Sequence, residues 1–286
     1  MPYALVSGAS SGIGYNLALI LAQRGFKVYG GAPEHTLHLM EPLRQHGVVP
    51  FALDIRKPES VQKAVEFFRE HSGSDSLDIL YNNAGIADGG PGFDFEDEAM
   101  MNIFAVNVTG HMLMTKYFTP FVIQAKGAIV YTASVAGIVP LCWTSLYCST
   151  KAAINAYAKG IRVELEPFGV RVYSVITGGV DTDIAKEKKG DISKRIGELP
   201  YQIQGLEESI RASANMTCHG TKPNKYARSV LNKVLAKHRG FNIYEGYRAR
   251  LLKFISNWFP LWLQYRVIGS FFKQNKPLAE LRKRYR

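Results

Sequence analysis

Ser7-Gly8-Ala9-Ser10-Ser11-Gly12-Ile13-Gly14 is the stretch on which the reading of the fold turns. It lies between an apolar run at Tyr3–Ser7, which reads as a strand, and an amphipathic run over 13–24, which reads as a helix closed by Gly25. That strand-to-helix context separates it from a stray glycine cluster. Gly8 permits the tight turn, Gly12 lets the backbone approach a pyrophosphate, and Gly14 lets the helix pack on the strand. Ser10, Ser11 and Ile13 complete the turn, and the helix N-terminus offers free amides and a partial positive charge to the phosphates. Residues 8–12 also fit the Gly-x-Ser-x-Gly of a hydrolase nucleophile. They follow the first strand, however, with no evident acid and histidine partners, so a hydrolase built on Ser10 is set aside.

Working outward, apolar runs at 27–29, 48–53, 77–81, 128–133 and 170–176 read as further strands, with a last one at 242–244. Amphipathic stretches at 58–71, 98–125, 145–166 and 225–237 read as helices, the second of them as one helix or two. This alternation predicts an α/β fold: one doubly wound (Rossmann) parallel sheet with helices on both faces. There is no repeat and no linker. The expected division is a single domain over 1–247 and a C-terminal extension over 248–286.

The chain has 286 residues, 47% of them hydrophobic, enough to bury a large core and exclude a disordered protein. Three cysteines (Cys142, Cys148, Cys218) are an odd number without metal-ligand spacing. No metal site is expected, and a reducing, intracellular setting is. With a strand-like run beginning at Tyr3, no cleaved signal peptide is expected. Net charge is +11, but the last 39 residues hold ten Lys and Arg against Glu280 alone, so +9 sits in the extension. A nucleic-acid enzyme spreads its basic surface over the fold, so no nucleic-acid partner is expected.

Two segments carry chemistry. Tyr147-Cys148-Ser149-Thr150-Lys151 places a phenol and an ammonium four residues apart on one helix face. A free tyrosine titrates near pH 10, and an adjacent Lys⁺ favours the phenolate and lowers that value. Thirteen residues upstream, Ser134 follows the fifth strand, at the carboxyl edge where such sheets bind ligands. Its hydroxyl can hold a carbonyl oxygen beside the Tyr147 hydroxyl. After the second strand, Gly30-Gly31-Ala32-Pro33-Glu34-His35 offers neither the carboxylate that meets a ribose 2′-hydroxyl nor the arginine that meets a 2′-phosphate. NADP(H) is weakly favoured over NAD(H).

With these motifs in order, together with Asn82-Asn83-Ala84-Gly85 and Val106-Asn107-Val108, residues 3 to about 245 resemble a short-chain dehydrogenase/reductase. The resemblance implies a catalytic tetrad of Asn107, Ser134, Tyr147 and Lys151, with Asn107 holding a water behind Lys151. It implies a dinucleotide held by the glycine-rich turn, by Asp54 and Ile55 at the adenine, and by Asn83, Ala84 and Gly85 at the ribose. Tyr147, Lys151, Val180 and Thr182 would meet its nicotinamide end. The family has Pro-Gly after the sixth strand where this chain has Thr177-Gly178.

Likeness to a fungal subgroup extends to Ala125-Lys126-Gly127, Ser134-Val135-Ala136-Gly137 and Ile176-Thr177-Gly178-Gly179-Val180. It implies reduction of a lipid-like ketone, 1-acyldihydroxyacetone phosphate to 1-acylglycerol 3-phosphate, with arginines in that subgroup where Pro33 and Glu34 stand here. It also implies residence at the cytosolic face of endoplasmic reticulum or lipid droplets. Family members commonly pair through the helix bearing Tyr147, so a homo-oligomer is a further expectation. The alternatives are a dehydrogenase of a steroid, retinoid or 3-oxoacyl compound, and a lipid-surface scaffold without turnover.

A substrate lid is expected over 183–223, carrying Lys186, Lys188, Lys189, Lys194, Arg195 and Arg211. The run 251–272 holds Phe254, Trp258, Trp262, Tyr265, Phe271 and Phe272, broken by Lys253, Pro260 and Arg266. Charges and a central proline argue against a transmembrane helix. Aromatics beside cations suit a segment lying on an anionic membrane or droplet surface, the alternative being packing on the body or on a second subunit.

Overall fold

The computed structural model describes residues 1–182, 184, 203–214 and 220–286. Lys186, Lys188, Lys189, Lys194, Arg195 and Cys218 lie outside the described residues.

Seven strands form one sheet: β1 (Tyr3–Ser7), β2 (Lys27–Ala32), β3 (Val48–Ala52), β4 (Ile79–Asn82), β5 (Ala128–Ser134), β6 (Arg171–Thr177) and β7 (Asn242–Glu245). Their order is β3-β2-β1-β4-β5-β6-β7, and every pairing is parallel. The order reverses between β1 and β4, so the crevice at the carboxyl ends of these strands is where a ligand binds. Successive strand side chains point to opposite faces, and each face is covered. Ala4 and Val6 meet α1 (Gly12–Gln23) and, through Tyr226, Val230 and Leu231, a helix at Pro223–Leu235. Leu5 and Leu80 meet Phe68 of α3 (Pro58–Ser72) and Phe118 of a helix at Gly110–Gln124. Burial on both faces explains why the strands read as continuous apolar runs.

Local differences from the sequence reading have physical causes. β2 runs on through Gly30 and Gly31 because β3 pairs with it residue by residue. A Cβ at Gly31 would stand 2.5 Å from Leu53 Cδ2 and 2.9 Å from Phe51 Cζ, so any larger residue would have to displace both side chains. The helical stretch after β4 divides into α4 (Asp97–Phe104), a π-turn at Ala105–Thr109 and α5 (Gly110–Gln124). A 3₁₀ turn (Glu34–Met40) and the short α2 (Glu41–Arg44) link β2 to β3. Further along come α6 (Ser145–Leu165), α7 (Leu206–Ala214) and α8 (Pro223–Leu235).

The C-terminal extension forms three helices, α9 (Ala249–Trp258), α10 (Leu261–Phe271) and α11 (Asn275–Tyr285). Pro260 stands as the N-cap of α10, its fixed φ ending the first helix and starting the second. Ala249, Leu252, Ile255 and Ile268 are buried against Ala133, Val135, Ala136 and Ile176 of the body. The other side leaves Trp258 74% and Trp262 60% exposed. Among the described residues no helix is long and apolar enough to cross a membrane.

Candidate active site

The turn after β1 is built by close backbone approach. Gly8 and Gly12 adopt left-handed φ of +68° and +52°. A Cβ on Gly14 would lie 2.0 Å from the Gly8 carbonyl oxygen, so α1 can start here only without a side chain. α1 has no acidic residue in its first turn, and its N-cap Ser11 makes no side-chain bond to the helix amides. The first-turn donors therefore suit an anionic pyrophosphate, and the residues fit a dinucleotide.

The body braces this turn. Asn83 Nδ2 donates to the carbonyls of Ser7 (3.1 Å) and Gly8 (3.2 Å), and its Oδ1 accepts from Thr132 Oγ1 (3.2 Å). The Ser7 hydroxyl accepts from the amides of Asn83 (3.0 Å) and Ala84 (3.2 Å). Ala84 is in turn held through its carbonyl by the buried His111 ring, 2.7 Å away. Burial drives the His111 pKa down to about 3, so the ring is neutral and donates from Nε2. Thr182 lies over the turn, its Cγ2 3.1 Å from where a Gly12 Cβ would stand. Val180 is buried and bridges to Thr221. At the adenine end, the Asp54 carboxylate takes two bonds from the Arg56 guanidinium, at 2.7 and 2.9 Å, which holds its pKa low. Ile55 is buried against Gly110.

Ser134, Tyr147 and Lys151 come together at the carboxyl edge of β5. The Ser134 side chain stands close enough to the Tyr147 phenol to favour its charged form, and its Oγ accepts from the Ala136 amide at 3.1 Å. Lys151 Nζ lies 5.6 Å from the Tyr147 ring centroid and donates to the Thr132 carbonyl at 2.9 Å. Lys151 is 2% exposed. Asn107 sits in the π-turn, whose extra residue turns its side chain inward. Its Oδ1 accepts from the Ile86 amide (2.9 Å), and its Nδ2 donates to the Ile86 carbonyl (2.8 Å) and to Thr150 Oγ1 (3.1 Å). Gly85 passes between Asn107 and Lys151: a Cβ there would stand 3.4 Å from Asn107 Oδ1 and 3.6 Å from Lys151 Nζ.

The electrostatics correct one expectation. The sequence reading has Lys151 lowering the Tyr147 pKa. Instead, burial pushes Tyr147 up to about 12, only partly offset by the neighbouring Ser134 side chain. Burial also lowers Lys151 to about 8. Desolvation is the largest cause of both shifts and disfavours both charged forms. At neutral pH the pair is a protonated phenol beside an ammonium, which is the form of a proton donor.

Thr177, where the family has proline, keeps the strand end regular. Its hydroxyl lies 2.6 Å from the buried Tyr226 hydroxyl of α8, and its carbonyl accepts from Ser134 Oγ at 3.4 Å. Thr132, Thr150, His111 and Tyr226 thus serve the site without any sequence signal of their own. They are ordinary core residues until the sheet sets them under the tetrad.

This turn and the Ser–Tyr–Lys cluster, at the switch point of a doubly wound sheet, define a nicotinamide-dependent oxidoreductase. The chain belongs to the short-chain dehydrogenase family, whose model matches residues 2–193. It is 36% identical over 287 residues to the NADPH-dependent 1-acyldihydroxyacetone phosphate reductase of Saccharomyces cerevisiae, covering 96% of this chain and 92% of that one. A short-chain dehydrogenase of Penicillium crustosum is 34% identical, covering 91% of this chain and 94% of its own. Among solved structures, a short chain dehydrogenase from Burkholderia cenocepacia in complex with NADP superposes with TM-score 0.72 at 26% identity, over 93% of this chain and 97% of that one.

Proposed function

We propose that this oxidoreductase uses NADPH to reduce the ketone of 1-acyldihydroxyacetone phosphate, giving 1-acylglycerol 3-phosphate. The observation that carries the reading is the likeness to the Saccharomyces reductase over 96% of this chain, combined with a complete Ser134–Tyr147–Lys151 cluster. When bound, the nicotinamide supplies a hydride to the carbonyl carbon. Ser134 Oγ orients the carbonyl oxygen, and the Tyr147 hydroxyl, protonated at neutral pH, gives it a proton. The Lys151 ammonium stabilises the phenolate left behind. Asn107 fixes the Ile86 backbone and Thr150, and so the turn of α6 from which Lys151 projects.

The reading includes a lipid surface. Trp258, Leu261, Trp262 and Tyr265 are exposed together with Lys and Arg at the end of the chain, a combination that favours an anionic bilayer or droplet. The endoplasmic reticulum or lipid-droplet surface on its cytosolic side is the proposed place of action, and association of copies through α6 is proposed with it.

The test is nicotinamide oxidation by purified protein with a long-chain acyldihydroxyacetone phosphate, with NADPH and NADH in parallel. The expected result is turnover with NADPH that falls about 10²- to 10⁴-fold in Tyr147→Phe. Turnover only with NADH would overturn the cofactor assignment. Turnover only on uncharged ketones would favour the steroid, retinoid or 3-oxoacyl alternative. Wild-type rates in Tyr147→Phe would remove the mechanism.

A further inference from the structure

Helix α7 lies after β6 and is bound to two other parts of the chain. One is the loop between Ser134 and Tyr147. Trp143 in that loop is buried, has a left-handed φ of +65°, and donates its indole N–H to Ser209 Oγ of α7 at 2.8 Å. A bulky residue held in that region is strained and persists only when its surroundings fix it.

The other part is the C-terminal extension. Gln274, 3% exposed, donates through Nε2 to Ser213 Oγ of α7 at 2.8 Å and to the Cys142 carbonyl at 3.3 Å. Its neighbour Lys273 pairs with Glu208 of α7. Leu278 and Leu281 of α11 pack on Leu206 and Ile210 of α7 and on Trp143. One buried amide thus ties α7, the loop leading into Tyr147 and the C-terminal helices at a single point. Farther along, Ser256 of α9 donates to the Ile138 carbonyl, 2.8 Å away in the turn just past Ser134.

The two ends of the excursion that carries α7 are also joined. The Asp181 amide donates to the Thr221 carbonyl and the Thr221 amide to the Gly179 carbonyl, both at 3.0 Å. The excursion is therefore anchored at its base beside the turn where Thr182 meets Gly12. Between these two ends in sequence, α7 is held by side chains of the extension.

We infer that the C-terminal extension is a working part of the ketone-substrate site, with Gln274 a positioning residue that holds α7 against the 142–143 loop and thereby sets substrate affinity. The inference rests on the reductase reading and concerns a part of the chain beyond the 2–193 region that defines the family. It requires no membrane, because every contact is within the chain.

The experiment uses the full chain and a short-acyl, water-soluble dihydroxyacetone phosphate ester, without vesicles. Gln274→Leu removes the donor at nearly constant volume. Ser213 keeps a partner in Gln274→Leu, because its hydroxyl also bonds the Ser209 carbonyl at 3.0 Å. The expected result is a KM for the ketone raised about tenfold, with kcat within twofold and NADPH affinity unchanged. Ser213→Ala should raise KM in the same direction but by less, and the double variant no more than Gln274→Leu alone, because both changes remove the Gln274–Ser213 bond and Gln274→Leu also removes the one to the Cys142 carbonyl. Hydrogen exchange over 206–214 should quicken in all three variants while exchange in α1 stays as it was. Parallel loss of NADPH affinity would show general damage and overturn the proposal. Faster exchange at α7 with an unchanged KM, or no change in either, would overturn it too. Silence of the wild-type chain with this ester and with the long-chain substrate would instead remove the reductase reading on which the proposal stands.

Discussion

The carboxyl edge of β1 and the C-terminal extension solve opposite problems. At the first, backbone must come close to backbone: Gly14 leaves no space for a methyl group, and Asn83 ties two carbonyls of the turn to the strand beside it. At the second, side chains do the joining, with Ile255 and Ile268 seated in the body and Gln274 bonded across to α7. The difference teaches where tolerance lies. A turn built by exclusion fails at the smallest added group, whereas a surface built by side chains gives way one residue at a time.

The sharpest break of that comparison is Gly14→Ala. An added methyl meets a carbonyl oxygen at 2.0 Å, which backbone cannot yield without moving α1 or the turn. A destabilisation of about 3 kcal/mol is expected, or a fall of roughly 10 °C in Tm, together with loss of cofactor binding. Calorimetry with and without NADPH checks it. An unaltered Tm would mean the turn is far softer than its geometry.

Lys151 comes next, since it carries a cost inside the tightly built catalytic edge. Its pKa is about 8 folded against 10.5 free, so between those values the unfolded chain binds more protons. Stability therefore rises with pH from about 8 to 10.5, and below 8 the burial penalty stands in full. Lys151→Met removes a penalty of up to roughly 3 kcal/mol and leaves the Thr132 carbonyl without this donor, so stability at pH 7 should stay level or rise by about 2 kcal/mol. Turnover should collapse in the same variant. In the parent chain, ketone reduction should fall as pH passes about 8, where the ammonium is lost. Rates flat to pH 10 would show that Lys151 keeps its proton.

How much of this is legible in the sequence follows from the same contrast. The glycine turn, Ser134, Tyr147 and Lys151 are readable because each is a local pattern at a fixed place on a strand or helix end. The sheet follows from alternation of apolar runs. Extension residues such as Gln274 carry no such pattern: it is one glutamine in a polar stretch until Ser213, 61 positions away, is folded against it. The balance between Tyr147 and Lys151 is equally hidden, because spacing shows that two groups meet but not how dry the place is. The outer side of the extension is half legible: the aromatic run is plain in the sequence, but which rings face out depends on the break at Pro260.

Those outward rings give a smaller effect that sharpens the contrast. Trp258→Ser and Trp262→Ser remove exposed side chains, so Tm should be unchanged while binding to anionic vesicles weakens about tenfold for each, near 1.5 kcal/mol. Co-sedimentation with phosphatidylserine vesicles reads it. Unchanged binding would confine the extension to its contacts within the chain.

An effect of similar size, read as a coupling of about 1 kcal/mol, lies at Thr177, which stands where the family pattern has proline. Its hydroxyl and that of Tyr226 are buried 2.6 Å apart, and burial pushes the Tyr226 pKa upward, so the two are neutral hydroxyls bonded to each other. Thr177→Val leaves the Tyr226 hydroxyl buried without this partner, costing about 1–2 kcal/mol. Tyr226→Phe should cost less, since Thr177 can still donate to the Val175 carbonyl, 3.2 Å away. With both hydroxyls gone nothing polar is stranded, and the double variant should cost less than the sum of the two by about 1 kcal/mol in a thermodynamic cycle. The Thr177 carbonyl that accepts from Ser134 is main chain and survives the change, but losing the side-chain bond that anchors it should lower kcat by a few-fold in Thr177→Val while leaving NADPH affinity alone. Strict additivity of the two changes would mean that the hydroxyls are neighbours without being partners, and the threonine would then stand in for a proline without adding a bond.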